Sequence, residues 1–235
     1  MKILVGCCTA KNQDEFLETP TAKSVLKNTT REHTDNDYVM FSGEVDAVVK
    51  SLNKENIGKH YNSVLELGVK ENYDSVLLVH DDIRVEDVNW IKKLKKAHED
   101  NDVVGLAGAK DIRIDEPALW HIMSNPETWS GSVAHPHPEG GTFVTAFGAA
   151  PRRCAVLDGL FLSIKVSSIT DDIRFDENIP SIAHHYDIDF CLTANKHKLK
   201  LTTWPIWSTH ESPGLEKQTD EFKTSQKYFL DKWQK

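Results

Sequence analysis

Ser75-Val-Leu-Leu-Val-His80-Asp81-Asp82-Ile83 is the stretch of sequence that says most about the fold. Its first five residues are mostly apolar, which is typical of a buried strand in a parallel sheet. Carboxylates are not buried without partners, so we expect Asp81 and Asp82 where this strand leaves the core. Open parallel sheets bind ligands at the carboxyl ends of their strands. Two carboxylates at that edge suit a divalent cation that also holds phosphate oxygens.

Strand and helix patterns alternate on both sides of this stretch. Strand patterns occur at Ile3–Cys8, Tyr38–Ser42, Ser75–Val79 and Val103–Ala107. Helix patterns occur at Pro20–Asn28, Ile57–Asn72 and Val88–Glu99, and the segment Lys11–Gln13 is predicted to be a polar loop. Asp46–Leu52 fits either a short helix or a continuation of the strand before it. The alternation predicts an α/β fold in which helices flank a central, mostly parallel sheet.

The pattern changes after Gly108. Residues 111–142 contain four prolines, two tryptophans and the pair Gly140-Gly141. We therefore predict a long irregular excursion, the kind of segment that often forms a substrate loop. The later elements are predicted to be strands at Cys154–Lys165 and Leu199–Pro205 and helices at Tyr186–Asn195 and Lys217–Trp233.

The overall charge limits the classes of partner. The 235 residues carry a formal net charge of −8 at pH 7. Broad, sequence-independent binding of nucleic acid needs a basic face, and this composition argues against it. The basic run Trp90–His98 fits an amphipathic helix with solvated lysines.

The cysteines and the apolar segments indicate the compartment. The four cysteines contain no CxxC pair, so the sequence gives no support for a zinc site. The apolar run after Met1 is too short for a signal peptide, and no apolar stretch approaches the roughly 20 residues of a membrane span. We expect no membrane span and a cytoplasmic location.

Three further segments place polar side chains against apolar runs. Asp158-Gly159 fits either a close approach of backbone or a turn between two strands. Asp187 and Asp189 lie in the first turn of a predicted helix, where residues at i and i+2 do not share a face. One of them can act as a general base while the other caps the helix. His210, ahead of a predicted Pro213-Gly214 turn, fits a metal ligand or an ordinary loop residue.

In their order along the chain, these segments resemble the GT-A glycosyltransferases, specifically the family-2-like group. The resemblance runs from about residue 56 to residue 214. Ser75–Ile83 resembles the strand that carries the DXD-type acidic motif, here in the form His-Asp-Asp. The other matching segments are the helix Asn56–Gly68, the strand Val104–Gly108, the acceptor-side motif Leu157–Phe161, the base motif Tyr186–Phe190 and the late metal-binding His210.

The resemblance implies a metal-dependent transfer with inversion from a nucleotide-diphosphate sugar, for which a UDP-sugar is the expected donor. The transferred group would be a hexose or a pentose. Asp82 would contact Mn²⁺ or Mg²⁺ directly, and His210 would complete the coordination. His80 is a departure, because the family pattern often has Asp there and imidazole is a softer ligand. The chain would form one catalytic domain over residues 1–235, with a nucleotide-binding half at 1–110 and an acceptor half at 111–235.

The resemblance also implies roles for the remaining candidates. Asp187 matches the residue that deprotonates the acceptor hydroxyl, and Asp189 is its rival for that role. Asp158 would hydrogen-bond the acceptor or the donor sugar. Asp81 would orient the ribose or the water shell of the metal. The residues expected to contact the donor nucleotide are Thr9, Lys59, Asn62 and Asp81.

Three other functions fit parts of the sequence. A nucleotidyltransferase of similar fold would show a Gly-rich, basic loop after its first strand, whereas Gly6–Lys11 contains one glycine. A non-catalytic carbohydrate-binding module on the same fold is the second, and a metal-dependent hydrolase using His135 and His137 is the third. The acceptor stays open among a glycan, a lipid, a protein and a modified nucleic-acid base. Trp120 and Trp129 fit either stacking on a sugar or anchoring of the excursion.

Overall fold

The computed structural model describes residues 1–25, 30–33, 37–41, 45–52, 54–212 and 219–234. Some predicted features lie outside the described residues. They are the ends of predicted helices or strands at Asn28, Ser42 and Lys217, and the predicted turn at Pro213-Gly214. Within those residues the chain forms two sheets flanked by helices, which is the predicted α/β class.

The elements are labelled in chain order. The described strands are β1 (Ile3–Thr9), β2 (Thr30–His33), β3 (Asp37–Phe41), β4 (Val45–Ser51), β5 (Ser75–His80), β6 (Ile83–Val85), β7 (Val103–Gly105), β8 (Ala107–Ala109), β9 (Trp129–Pro136), β10 (Thr142–Gly148), β11 (Arg152–Arg153), β12 (Val156–Leu157), β13 (Phe161–Lys165), β14 (Leu201–Thr203) and β15 (Ser208–His210). The described α-helices are α1 (Gln13–Leu17), α2 (Pro20–Val25), α3 (Ile57–Lys70), α4 (Trp90–Ala97), α5 (Trp120–Met123), α6 (Tyr186–Lys196) and α7 (Asp220–Trp233).

The larger sheet is mixed, with parallel strands at its centre. Its order is β11-β14-β7-β13-β5-β1-β4-β3-β2. All residues of β1 are buried, and β1 pairs in parallel with both β4 and β5. β13 runs antiparallel between β5 and β7, while β14 is parallel to β7. Because β1, β4 and β5 run the same way, their carboxyl ends at Thr9, Ser51 and His80 meet at one edge of the sheet.

The smaller sheet adds a second set of polar residues to that edge. Its order is β12-β8-β9-β15-β6, and β10 also pairs with β9. The antiparallel pairing of β15 with β6 sets His210 opposite Ile83, the residue after Asp82. The turn at Asp158–Leu160 joins β12 in this sheet to β13 in the larger sheet. The two sheets therefore bring residues distant in sequence to the same place.

Helix α3 covers one face of the larger sheet and fixes the segment before α6. Its apolar stripe includes Tyr61 and Leu65, both fully buried. The side chain of Asn56 caps the helix by accepting a hydrogen bond from the backbone N–H of Gly58. The same side chain donates to the carbonyl of Ser181 at 2.9 Å. The cap therefore ties the start of α3 to the chain that leads into α6.

Several predicted elements differ from those observed. The predicted polar loop at Lys11–Gln13 missed α1, which begins in a capping box between Asn12 and Glu15. Asp46–Ser51 is not a helix but lies in β4, a separate strand that pairs antiparallel with β3. Val103–Ala107 is two short strands, because the chain passes there from the larger sheet to the smaller one.

The prediction of an irregular excursion over residues 111–142 was wrong in its second half. β9 and β10 form an antiparallel hairpin in which Thr142 pairs with Pro136. Gly140 and Gly141 both adopt positive φ at its tip, where L residues are strained. Residues 111–128 do form short turns and helices of three or four residues.

The core is continuous across both sheets, and all four cysteines are buried in it as free thiols. The division of the chain into halves at residue 110 stays a prediction. Among the helices of the described residues, none combines the length and the apolar character needed to cross a membrane.

Candidate active site

Three potential metal ligands converge at the meeting point of the two sheets. His80 ends β5, Asp82 follows in the next turn, and His210 ends β15. The Oδ1 atom of Asp82 lies 3.3 Å from Nε2 of His210 and 4.0 Å from Nδ1 of His80. Ligand atoms from the three residues all lie within 4.8 Å of one another. The sequence prediction that Asp82 and His210 lie together at a strand end agrees with this geometry.

The charges of this cluster suit a cation. The Oδ1 atom of Asp82 is buried and has no hydrogen-bond partner among the described residues. Burial alone would raise the pKa of Asp82, but His210 and His80 beside it hold that pKa below its usual value. Burial lowers the pKa of His80, which keeps this imidazole neutral. An unsatisfied carboxylate oxygen facing two imidazoles is a donor set that fits a divalent transition metal.

Asp81 points to the end of the neighbouring strand and not into the cluster. Its Oδ2 atom accepts hydrogen bonds from Oγ1 of Thr9 at 2.6 Å and from Nζ of Lys11 at 2.7 Å. The bond to Asp81 raises the pKa of Lys11. Thr9 and Asp81, both predicted to contact the donor nucleotide, therefore lie together. Lys11 belongs to the same group of side chains, and the sequence analysis missed it.

Asp187 lies against the turn that carries Asp158. The Oδ2 atom of Asp187 accepts a hydrogen bond from the backbone N–H of Gly159 at 2.9 Å, and Oδ1 accepts one from the N–H of Ile188. A Cβ atom at position 159 would lie only 2.8 Å from the Cβ of Asp187. Glycine is required there because the turn and the helix approach so closely. Asp158-Gly159 is thus both a turn between two strands and a place of close backbone approach, so both interpretations from the sequence hold.

The environment of Asp187 disfavours its charge. Burial and the neighbouring carboxylate of Asp158 raise the pKa of Asp187 to about 7. Two N–H donors partly offset this effect by stabilising the carboxylate. A carboxyl group whose pKa lies near neutral pH is suited to take up a proton during a reaction.

Asp189, the rival of Asp187, points in the opposite direction. It is 1% exposed, and its carboxylate accepts a hydrogen bond from the indole N–H of Trp233 at 2.7 Å. Nζ of Lys232 lies 2.8 Å from the same carboxylate. Asp189 therefore joins α6 to the last turn of α7. Asp187 and Asp189 therefore point to different sides of α6, as their i and i+2 spacing predicted.

Two further residues predicted to contact the donor nucleotide lie outside the metal-ligand cluster. Lys59 pairs with Glu55 at 2.6 Å on an exposed face of α3. Asn62 is buried, and its amide oxygen accepts a hydrogen bond from the N–H of Phe175 while its NH₂ group donates to the Phe175 carbonyl and to Glu177. The hydrogen-bonding groups of Asn62 are thus used within the protein.

Two cavities meet at the cluster. One, of about 340 Å³, is lined by the metal-ligand candidates and by Asp187. The other, of about 350 Å³, is lined by residues of α5 and of the β9–β10 hairpin, including His121, His135 and Phe147. Both cavities are bounded by Trp120, Asp158 and His210. Trp129 instead donates its indole N–H to Ser124, which anchors the excursion.

Tyr186, to which the sequence analysis assigned no role, lies between the metal-ligand candidates and Asp187. Its hydroxyl is 2.7 Å from Nε2 of His80. The residue before it, His185, has φ of 63°, and its Nδ1 lies 2.9 Å from Oγ of Ser225. A signal was present in the sequence, since Tyr186 immediately precedes the predicted base.

The mixed sheet, with an acidic, histidine-containing site at its strand ends, has the nucleotide-diphospho-sugar transferase fold of the GT-A type. Comparison with known families agrees. The model of the glycosyltransferase like family, which is family-2-like, matches residues 42–233. The chain therefore belongs to this glycosyltransferase family. No curated protein sequence matches the chain.

Solved structures show the same fold at low sequence identity. The protein A197 from STIV is 14% identical, with a TM-score of 0.50, over 87% of this chain and 82% of that one. GalNAc-T7, crystallised with UDP, GalNAc and Mn²⁺, is 13% identical with a TM-score of 0.58. That alignment covers 99% of this chain and 48% of GalNAc-T7, so this chain spans about half its length. These likenesses confirm the predicted GT-A fold.

Proposed function

We propose that this protein is a metal-dependent, inverting glycosyltransferase that moves a sugar from a nucleotide-diphosphate sugar to an acceptor hydroxyl. The observation that carries the proposal is the position of Asp187. Its carboxylate lines the same cavity as the three metal-ligand candidates. A general base and a diphosphate-binding cation are the two parts that such a transfer needs.

The donor side of the site is supported by the edge of the larger sheet. Asp82, His80 and His210 would hold Mn²⁺ or Mg²⁺, which when bound neutralises the diphosphate that leaves. Two imidazoles among three ligands favour Mn²⁺, because Mg²⁺ prefers oxygen donors. Thr9 and Asp81 would contact the nucleoside, and a UDP-sugar is the donor to test first. GalNAc-T7 carries UDP and Mn²⁺ on a related fold.

The base is Asp187 in this proposal. Gly159 and Ile188 hold its carboxylate by two backbone N–H donors, so its orientation is fixed before substrate binds. The carboxylate would take the proton of the acceptor hydroxyl as that oxygen bonds to the anomeric carbon. The bond from that carbon to the diphosphate oxygen breaks on the opposite face, which inverts the configuration. Asp189 is assigned a structural role, because its carboxylate already pairs with Lys232 and accepts a hydrogen bond from Trp233.

The second cavity supports an uncharged acceptor. Burial lowers the pKa of His121 and of His135, so both imidazoles are neutral at pH 7. Together with Thr145 and the ring of Phe147 they offer hydroxyl-binding groups and an apolar face. Asp158 lies where this cavity meets the catalytic one, and it would hydrogen-bond a sugar hydroxyl. A glycan is the acceptor class that these features favour.

The alternatives receive less support. Family membership favours sugar transfer over nucleotidyl transfer, and the first strand ends at Thr9 and is followed by Lys11 without a glycine-rich loop. A binding module would not need a carboxylate with a pKa of about 7 beside the cation site. His137 is exposed, and neither it nor His135 joins a metal-ligand cluster found among the described residues. The cytoplasmic location stays a prediction.

A panel of nucleotide sugars tests the proposal. We expect Mn²⁺-dependent release of the nucleoside diphosphate from one or more donors, faster when oligosaccharide acceptors are added. Asp187→Asn should lower turnover by about 10²- to 10⁴-fold while binding of the nucleoside diphosphate with Mn²⁺ stays near that of wild type. Asp171→Asn, at a fully exposed carboxylate, is the matched control and should keep full turnover. Wild-type turnover in Asp187→Asn would exclude Asp187 as the base.

A further inference from the structure

His80 can use only one of its ring nitrogens for a cation. Its Nδ1 faces Asp82, with Oδ1 of that residue at 4.0 Å. Its Nε2 is 2.7 Å from the hydroxyl oxygen of Tyr186. A neutral imidazole has one N–H and one lone pair, and a cation takes the lone pair. Ligation through Nδ1 therefore requires that Nε2 carries the hydrogen and donates it to Tyr186.

Tyr186 is well placed to hold this tautomer. It is the first residue of α6 and is 3% exposed. Its hydroxyl packs against Gly159, where an added Cβ atom would lie 2.3 Å from the oxygen. The N–H of Gly159 in turn donates to Asp187, the residue after Tyr186. One phenol oxygen thus contacts the metal-ligand strand and the turn that orients the base.

We infer that Tyr186 is a positioning residue that sets the tautomer and orientation of His80 and thereby tunes the affinity for the cation. Partners of metal-binding histidines act in this way by fixing the ring and raising its basicity. The contact also links the cation site to the first turn of α6, which carries Asp187. This inference rests on the cation site of the proposed function and concerns a residue outside the ligand set.

The test measures Mn²⁺ affinity by electron paramagnetic resonance in protein free of nucleotide. Tyr186→Phe removes the hydroxyl and keeps the ring, and we expect binding about 10- to 100-fold weaker than wild type. Tyr73→Phe is the matched control. Tyr73 is also buried and its hydroxyl donates to Asp46 at 2.6 Å, but it lies beyond the opposite end of β5. This control should bind Mn²⁺ like wild type.

A second pair of variants tests whether Tyr186 acts by positioning His80 or through a general effect on the structure. In His80→Ala protein, the further change Tyr186→Phe should leave the residual Mn²⁺ affinity unchanged, because the tyrosine acts through His80. An equal weakening in both backgrounds would overturn the inference. Equal affinities of wild type and Tyr186→Phe would also overturn it while leaving the proposed function intact. Wild-type protein that binds no Mn²⁺ would instead reject the cation site itself.

A measurement on wild-type protein keeps the test independent of variant folding. Long-range ¹H–¹⁵N spectra of histidine-labelled protein with diamagnetic Zn²⁺ report which ring nitrogen binds the metal. We expect the His80 signal to show Nδ1 ligation and a protonated Nε2. Ligation through Nε2 would overturn the inference, because that nitrogen could not then donate to Tyr186.

Discussion

The raised pKa of Asp187 predicts a loss of stability with rising pH in protein free of metal. The pKa of Asp187 in the folded state is about 7, against 3.8 for an ordinary Asp side chain. A carboxyl group whose folded pKa is raised binds its proton more tightly in the folded protein than in the unfolded chain. The stability that this proton contributes is complete below pH 4 and is lost as the pH rises to about 7.

The size of the effect follows from the shift. About three pKa units correspond to about 4 kcal/mol at most. Asp187 is only half-buried by surface area, so solvent screens part of this energy and we expect about 2 kcal/mol. Asp187→Asn cannot ionise and should not show this component. It also disturbs one of the two backbone hydrogen bonds, but that cost does not vary with pH.

Urea unfolding followed by tryptophan fluorescence between pH 4 and pH 8, in the presence of EDTA, measures the difference. The free energy of unfolding of wild type should fall by about 2 kcal/mol relative to Asp187→Asn across this range. Asp171→Asn, which changes an exposed carboxylate, should run parallel to wild type. Bound Mn²⁺ should reduce the wild-type loss, since a nearby cation favours the carboxylate. Parallel curves for wild type and Asp187→Asn would refute the assigned environment.

Three further predictions concern the metal ligand, the turn and the C-terminal helix. Asp82→Ala should weaken Mn²⁺ binding by at least about 100-fold in calorimetry, while His197→Ala, at an exposed histidine, should leave it unchanged. Gly159→Ala should lower the free energy of unfolding by about 1–3 kcal/mol and reduce turnover, because the added Cβ atom would lie within 3 Å of two side chains of α6. Wild-type stability together with wild-type turnover would contradict this close approach. Lys232→Met should cost about 3 kcal/mol in urea unfolding by leaving two paired carboxylates without their cation. Lys227→Met, on an exposed position of the same helix, is its control, and equal stability of the two variants would argue against the ion pair.

The strand that carries His80, Asp81 and Asp82 was predictable because local chemistry determines it. An apolar run must be buried, and carboxylates directly after it must leave the core. The edge at which β1 and β5 end together follows from their parallel pairing. The meeting of Asp82 with His210 depended on the resemblance to a known family, since no local rule places residues so far apart in sequence side by side.

Other features depend on contacts that a single sequence does not display. The β9–β10 hairpin was missed because its prolines and glycines are typical of loops, whereas strand pairing over the whole hairpin decides its structure. The choice between Asp187 and Asp189 stayed open because the partners of Asp189 lie 43 and 44 residues further along the chain. The interior hydrogen bonds of Asn62 were hidden for the same reason, with Phe175 113 residues away.

The clamp formed by Asp189, Lys232 and Trp233 bears on how the protein should be produced and handled. A variant that stops before Lys232 would lose both groups that bind Asp189 on α6, the helix that carries Asp187. Any recombinant variant therefore needs to keep Lys232 and Trp233, whatever tag it carries.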